Sequence, residues 1–171
     1  MRERFITMTF AILFSVFGFT AACWAETYPV SSKDPIADIT IPDSWLVKNI
    51  ARGLQGATKD EEVYLWAEVY PADGLNDIMA EHDAYYTKQG VEIASGDPKT
   101  NLIEVNGVPV VLMHVSATWK GKPTVVEYAM FEPARKTGRK LMVSYWTTPK
   151  GDKMYEPDLT SILASIKMRS Q

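Results

Sequence analysis

The sequence holds a single cysteine, Cys23, and only two histidines, His82 and His114. One thiol closes no intrachain disulfide, so stability has to come from packing. Two histidines with no Asp/Glu/His spacing around them, and no second cysteine, leave no metal ligand set, and neither a metal nor another cofactor is expected. Charge of one sign is lacking as well: 18 Lys and Arg stand against 21 Asp and Glu, a net charge of −3. That balance has none of the basic footprint of a nucleic-acid binder. Gly53-Leu54-Gln55-Gly56 misses the Gly-Lys-Ser/Thr of a phosphate loop and reads as a turn. Asp73, Asp77, Glu81 and Asp83 lack the spacing of a calcium loop and read as solvated charge. There is no Gly-x-Ser-x-Gly elbow, no repeat and no low-complexity tract.

What remains, 46% apolar and 23% charged residues, is the make-up of an ordinary globular chain. Its first 25 residues read as a targeting segment: a short basic start at Met1–Arg4, an apolar run from Phe5 to Thr20, then the small residues Ala21, Ala22 and Ala25. Cleavage after Ala25 begins the mature chain at Glu26 and places it in the periplasm or outside the cell. Two alternatives stand beside this. Thr20-Ala21-Ala22-Cys23 resembles a bacterial lipoprotein box that would acylate Cys23, and a retained anchor would need more than this run, since a spanning helix takes ~20 residues. Membrane association is expected only under one of those two. Residues 26–37, with Pro29 and Pro35, read as an extended N-terminal tail, and 38–171 as one domain.

Within that domain, residues 38–51 give a strand, a Pro42-Asp43 turn and a second extended piece, and 53–62 is polar and turn-rich. Val63, Leu65, Ala67 and Val69 alternate with Tyr64, Trp66, Glu68 and Tyr70, which predicts a strand with two distinct faces. Aromatics spaced this way belong under another element, or, if left open, form a binding platform. Leu75, Ile78, Met79, His82, Tyr85 and Tyr86 form one helical stripe, with Asp73 as its candidate cap and Gly90 as its end. His82 on that stripe reads as a hydrogen-bonded core histidine. Asn106-Gly107 is a type I′ hairpin signal, and a second helix is predicted from Glu156-Pro157 through Leu159, Ile162, Leu163 and Ile166. Antiparallel strands flanked by helices make an α+β fold.

The hairpins also predict a register. A two-residue Gly121-Lys122 loop pairs Lys120 with Pro123, and the longer turn pairs Glu132 with Arg139. One face then carries Met113, Val115, Ala117 and Trp119 against Val126, Tyr128 and Met130. The other gathers His114, Ser116, Glu127, Ser144 and Trp146, with Ser116 opposite Glu127, Ser144 on its far side and His114 diagonal to it. Those five residues are either a satisfied polar patch under a helix or terminus or the candidate binding face for a ligand or partner. Ser, His and Glu together suggest a nucleophile, base and orienting acid, but a mid-strand serine has no oxyanion hole beside it, so no catalytic residue is assigned. Arg135, Lys136, Arg139 and Lys140 cluster in the last hairpin and read as a solvated loop, with an acidic partner or anionic headgroups as the alternative.

Taken together, a leader, Ile41-Pro42-Asp43-Ser44-Trp45, a strand closing on Tyr70-Pro71, a helix, antiparallel strands and a final Leu159-to-Lys167 segment resemble the PsbP-like α/β/α sandwich superfamily. That superfamily includes the periplasmic DcrB-type lipoproteins, and the resemblance spans residues 38–168. It implies a mostly non-enzymatic protein: an accessory subunit, a partner of a regulatory GTPase or an Eag-type chaperone of secreted effectors. It carries over no functional residue, because the superfamily has no shared catalytic signature. The first reading is therefore a secreted, non-catalytic interaction protein with a protein partner, an immunity or chaperone role included. The second is a small-ligand-binding protein using aromatics near Trp66 or Trp146 with His114. The third is a hydrolase built on His114, Ser116 and Glu127.

Overall fold

The alternation around Val63 becomes the centre of the molecule. In the computed structural model, which describes residues 24–132 and 138–169, β5 (Val63–Pro71) lies inside a sheet whose two faces are both covered. Val63, Leu65 and Ala67 enter an aliphatic core, while Trp66 and Tyr70 enter an aromatic one. The sheet has eight antiparallel strands. Its path runs from β3 (Trp45–Ile50) and β4 (Gly53–Thr58) through β5 to β10 (Arg139–Thr147), β9 (Lys122–Phe131) and β8 (Val108–Trp119). Along β8, β6 (Val91–Ile93) pairs one end and β7 (Lys99–Val105) the other. Helix α1 (Leu75–Lys88) covers the aromatic face. The opposite face is covered by α2 (Pro149–Ser165) and a three-stranded sheet of β1 (Ala25–Val30), β2 (Ala37–Pro42) and β11 (Lys167–Met168). This is an α+β sandwich.

Several sequence expectations change here. The stretch expected as an extended tail carries β1, paired with β2 along its whole length, and Val30 is fully buried. The expected turn at Gly53–Gly56 is strand β4. Gly53 is required there by proximity, since a Cβ would stand 1.9 Å from the Ala67 carbonyl oxygen. Helix α1 is capped at Gly74 without a side-chain bond, so Asp73 does not cap it; Gly90, at φ +78°, ends it as expected. Helix α2 begins about two turns before Glu156, with Thr148 as its cap: the hydroxyl accepts from Gly151 N at 3.0 Å, and Pro149 takes the first helical position. Pro157 lies inside the helix rather than at its start. The targeting segment up to Cys23, together with Arg135 and Lys136, lies outside the described residues, among which no helix is long and apolar enough to cross a membrane.

The Pro42-Asp43-Ser44-Trp45 turn has a clear task. It carries the chain from the small sheet to the large one and drops Trp45 against α2, where the indole Nε1–H donates to Asp158 at 3.0 Å and the ring meets Tyr155 edge-on. At the C-terminal end of α2, Asn106 of the type I′ turn (φ +49°, Gly107 +79°) donates from its amide to the Ala164 and Ile166 carbonyls at 2.9 and 2.7 Å. The turn residue that closes the β7–β8 hairpin therefore also satisfies carbonyls left over at the helix end.

Candidate functional site

Register decides which polar residues meet. The β8–β9 turn is formed by Lys120 and Gly121, at φ +52° and +73°, a type I′ turn rather than a Gly121-Lys122 loop. Pairing moves by two residues: Trp119 faces Lys122, Ser116 faces Val125, and His114, expected on a diagonal, lies directly across from Glu127. A shift of two preserves faces, so His114, Ser116 and Glu127 remain together. The β9–β10 pairing moves by one, with Leu141 on Phe131 and Tyr145 on Glu127. A shift of one reverses a strand. Ser144 and Trp146 accordingly point to the α1 side, away from His114, Ser116 and Glu127, and the five-residue face divides in two.

On the α2 side, His114 donates from Nδ1 to Glu127 Oε1 at 3.0 Å, and both side chains are part-exposed. Ser116 is exposed two residues along the same strand. Beneath α2 a cavity of about 190 Å³ is lined by apolar side chains, with Glu127, Tyr145, Asp152 and Glu156 at its polar end. Burial, then the Glu127 carboxylate, holds the Asp152 carboxyl above its usual range, while His114 pulls the other way. Burial and the neighbouring Glu127 and Asp152 push the Tyr145 hydroxyl up as well.

On the α1 side the structure assembles a constellation that the register reading missed. His82 Nε2–H donates to Glu68 Oε2 at 2.6 Å, and the Ser144 hydroxyl lies 3.3 Å from Nδ1. Arg52 donates to Glu68 at 3.2 Å and to Glu81 at 2.6 Å, completing a chain from solvent to the sheet. His82 is thus a buried, hydrogen-bonded core residue. Serine, imidazole and carboxylate stand in the order of a nucleophilic triad, but Ser144 is 0% exposed and packed beneath α1. No substrate atom reaches it, so the arrangement pins α1 to β5 and β10. The signal for it was present in the sequence, since Glu68 is the one acid among the aromatic positions of β5 and His82 the one polar residue on the α1 stripe.

Further along the same face the aromatic layer opens. Tyr64 stacks on Trp146 with centroids 5.4 Å apart, Trp119 meets Trp146 edge-on at 5.4 Å, and Tyr85 stands on the α1 side. These rings wall a cleft of about 450 Å³ whose rim carries Asp60, Glu61, Glu62 and Lys120. Its volume falls in the range of small-molecule sites. The β4–β5 turn, with Glu61 at φ +59°, sets three successive carboxylates there. The Thr148 hydroxyl and then Lys150 hold the Glu62 carboxyl below its usual range. Asp60 is lowered by Thr58 and by Tyr155, whose hydroxyl donates to it at 2.9 Å. Glu61 is left exposed beside Tyr64, whose hydroxyl is raised by burial and then by that carboxylate. Trp66 and Tyr70, the other aromatics of β5, are covered by α1. Among the described residues no group of His, Cys, Asp and Glu is placed to hold a metal ion.

No protein-family model matches the chain, and no curated protein does. Solved structures do. Cyanobacterial PsbP (CyanoP) from Synechocystis sp. PCC 6803 superposes at a TM-score of 0.58 with 9% identity, over 89% of this chain and 96% of that one. LpqN of Mycobacterium tuberculosis, described as involved in cell envelope biogenesis, gives 0.57 with 11% identity, over 85% and 92%. A Bacteroides thetaiotaomicron protein gives 0.56 with 9% identity, over 85% of this chain and 49% of its own. The residues shared are too few to align a site, and the likeness is one of fold. The chain has the PsbP-like α/β/α sandwich fold.

Proposed function

We propose that this chain is a non-catalytic binding protein of the extracytoplasmic space, acting as an accessory to a protein partner. One observation carries the reading: the serine in line with a histidine and an acid is sealed under α1, whereas the open cleft of about 450 Å³ offers aromatic walls and carboxylates without a free nucleophile. Such a surface recognises and does not transform. The Sec-type leader read at residues 1–25 supports the compartment, and the fold shared with an envelope-biogenesis protein is consistent with it.

The test is an affinity pull-down from the native envelope fraction with the chain from Glu26 as bait, read by mass spectrometry. A stoichiometric, salt-resistant partner is expected. A bait that returns clean overturns the accessory reading and leaves the second one, a small-ligand protein, which the size and openness of the aromatic cleft favour. Intact-mass analysis checks the compartment: a mature N-terminus at Glu26 is expected, and acylated Cys23 or retained Met1 would replace it with an anchored form.

A further inference from the structure

From the wall and rim of the cleft between Tyr64, Trp146, Trp119 and Tyr85 we infer that it is a cation site, taking an alkylammonium or guanidinium head group. The inference rests on the binding reading and adds the ligand's chemistry. Aromatic faces carry negative quadrupole density, and desolvated rings attract a cation more strongly than an uncharged group of the same shape. Here two rings are stacked, with a third at right angles to them. Three carboxylates stand on the rim: Asp60 accepts from the Tyr155 hydroxyl, and Glu62 from the Thr148 hydroxyl and the Lys150 ammonium. Glu61 remains exposed at the mouth beside Tyr64.

The protein already uses this chemistry on itself. The Lys120 ammonium lies 4.6 Å from the Trp119 ring centroid, held there by a turn in which Lys120 adopts φ +52°. This internal cation at the edge of the cleft lies over Trp119 alone, and it competes with any ligand approaching that ring. An anionic ligand would meet Asp60, Glu61 and Glu62 at the rim, and a purely apolar ligand would gain nothing from them.

The head group could arrive on a small quaternary amine or on the side chain of a partner's lysine or arginine, and the experiment separates the two. Intrinsic tryptophan fluorescence of the chain from Glu26 is titrated with choline, with the N-acetyl methyl esters of lysine and arginine, and with neohexyl alcohol, the uncharged carbon isostere of choline. Saturable binding of at least one cation is expected, at least about tenfold tighter than the isostere and weakening with salt. Choline as the tightest ligand identifies a free amine; either amino-acid ester as the tightest identifies a protein side chain. Glu61→Gln and Tyr64→Leu, both at the open rim, should weaken binding, and Lys120→Gln should strengthen it by removing the internal competitor. Equal binding of the isostere, or no saturable response to any cation, overturns the inference. Neither result bears on the pull-down, which reads a partner whichever surface holds it.

Discussion

His82 on α1 and His114 on β8 each donate to a glutamate on a neighbouring strand, but the first pair is 8% and 5% exposed and the second 38% and 27%. The same two residue types therefore do different work. Buried beside Trp66, Tyr86 and Tyr128, His82 and Glu68 have, among the described residues, each other, Ser144 and Arg52 to replace water, so each partner is needed by the rest. His114 and Glu127 retain solvent, and either can lose the other at little cost. α1 is held through the middle of its buried face by this polar chain. α2 is held by single polar ties spread along it, from Tyr155 to Asp60, from Trp45 to Asp158 at its middle and from Asn106 to its last carbonyls, and lies over an aliphatic core.

The strongest way to break the comparison is to remove the buried imidazole. His82→Ala leaves the Glu68 carboxylate buried with only Arg52 and opens a hole among aromatic rings, and the expected loss is roughly 3–5 kcal/mol. Urea denaturation followed by tryptophan fluorescence would measure it. A loss below about 1 kcal/mol would mean that the polar chain does not fasten α1.

For α2 the corresponding change is at its end. Asn106→Gly keeps the positive φ that the turn demands but deletes both amide bonds to Ala164 and Ile166, with an expected loss of about 1–2 kcal/mol. Hydrogen exchange should speed up in the last turn of α2 and leave α1 unchanged. Uniform loosening of both helices would contradict the separate fastening described here.

The two regions also differ in how far the sequence discloses them. Asn106-Gly107 specified its turn because both positions favour φ above zero. Lys120-Gly121 adopts the same geometry, but lysine carries no such preference, so only the glycine is legible and the pairing lies two residues from the expected one. The β9–β10 register failed for a different reason. Leu141, Val143 and Tyr145 alternate with Met142, Ser144 and Trp146, and both sets are at home in a core, so the pattern does not choose between faces when helices cover both. That single step hid the meeting of Ser144 with His82 and the place of Trp146 in the aromatic cleft. Secondary structure read well where one face was plainly more apolar, as in β5 and α1. It read poorly in β1, whose side chains are mostly exposed, and in β4, which is buried on both faces; the backbones of both are fixed by their neighbours.

A smaller effect lies under α2. The Asp152 carboxyl is raised by burial and by Glu127, so its ionisation opposes folding: the penalty is present above the folded-state value and disappears below the ordinary carboxylate range. Asp152→Asn should therefore stabilise the protein at neutral pH, by a few tenths of a kcal/mol because solvent reaches the group. The gain should vanish as pH falls through the carboxylate range. A gain that persists in acid would assign the effect to helix capping or packing instead of charge.

His114→Ala is the smallest and the most telling of these changes. If exposure governs the two pairs, removing this histidine costs less than about 0.5 kcal/mol, since Glu127 falls back on water and on the Tyr145 hydroxyl. Comparing it with His82→Ala under the same denaturation conditions makes each the control for the other. The His114 substitution also tests the hydrolase reading, since any ester hydrolysis by the chain from Glu26 that depends on His114, Ser116 and Glu127 must fall with it. Unchanged stability and unchanged background hydrolysis would leave His114 as a half-exposed surface residue. Loss of hydrolysis at unchanged stability would instead make the α2 side chemically active and reverse the assignment of roles between the two faces.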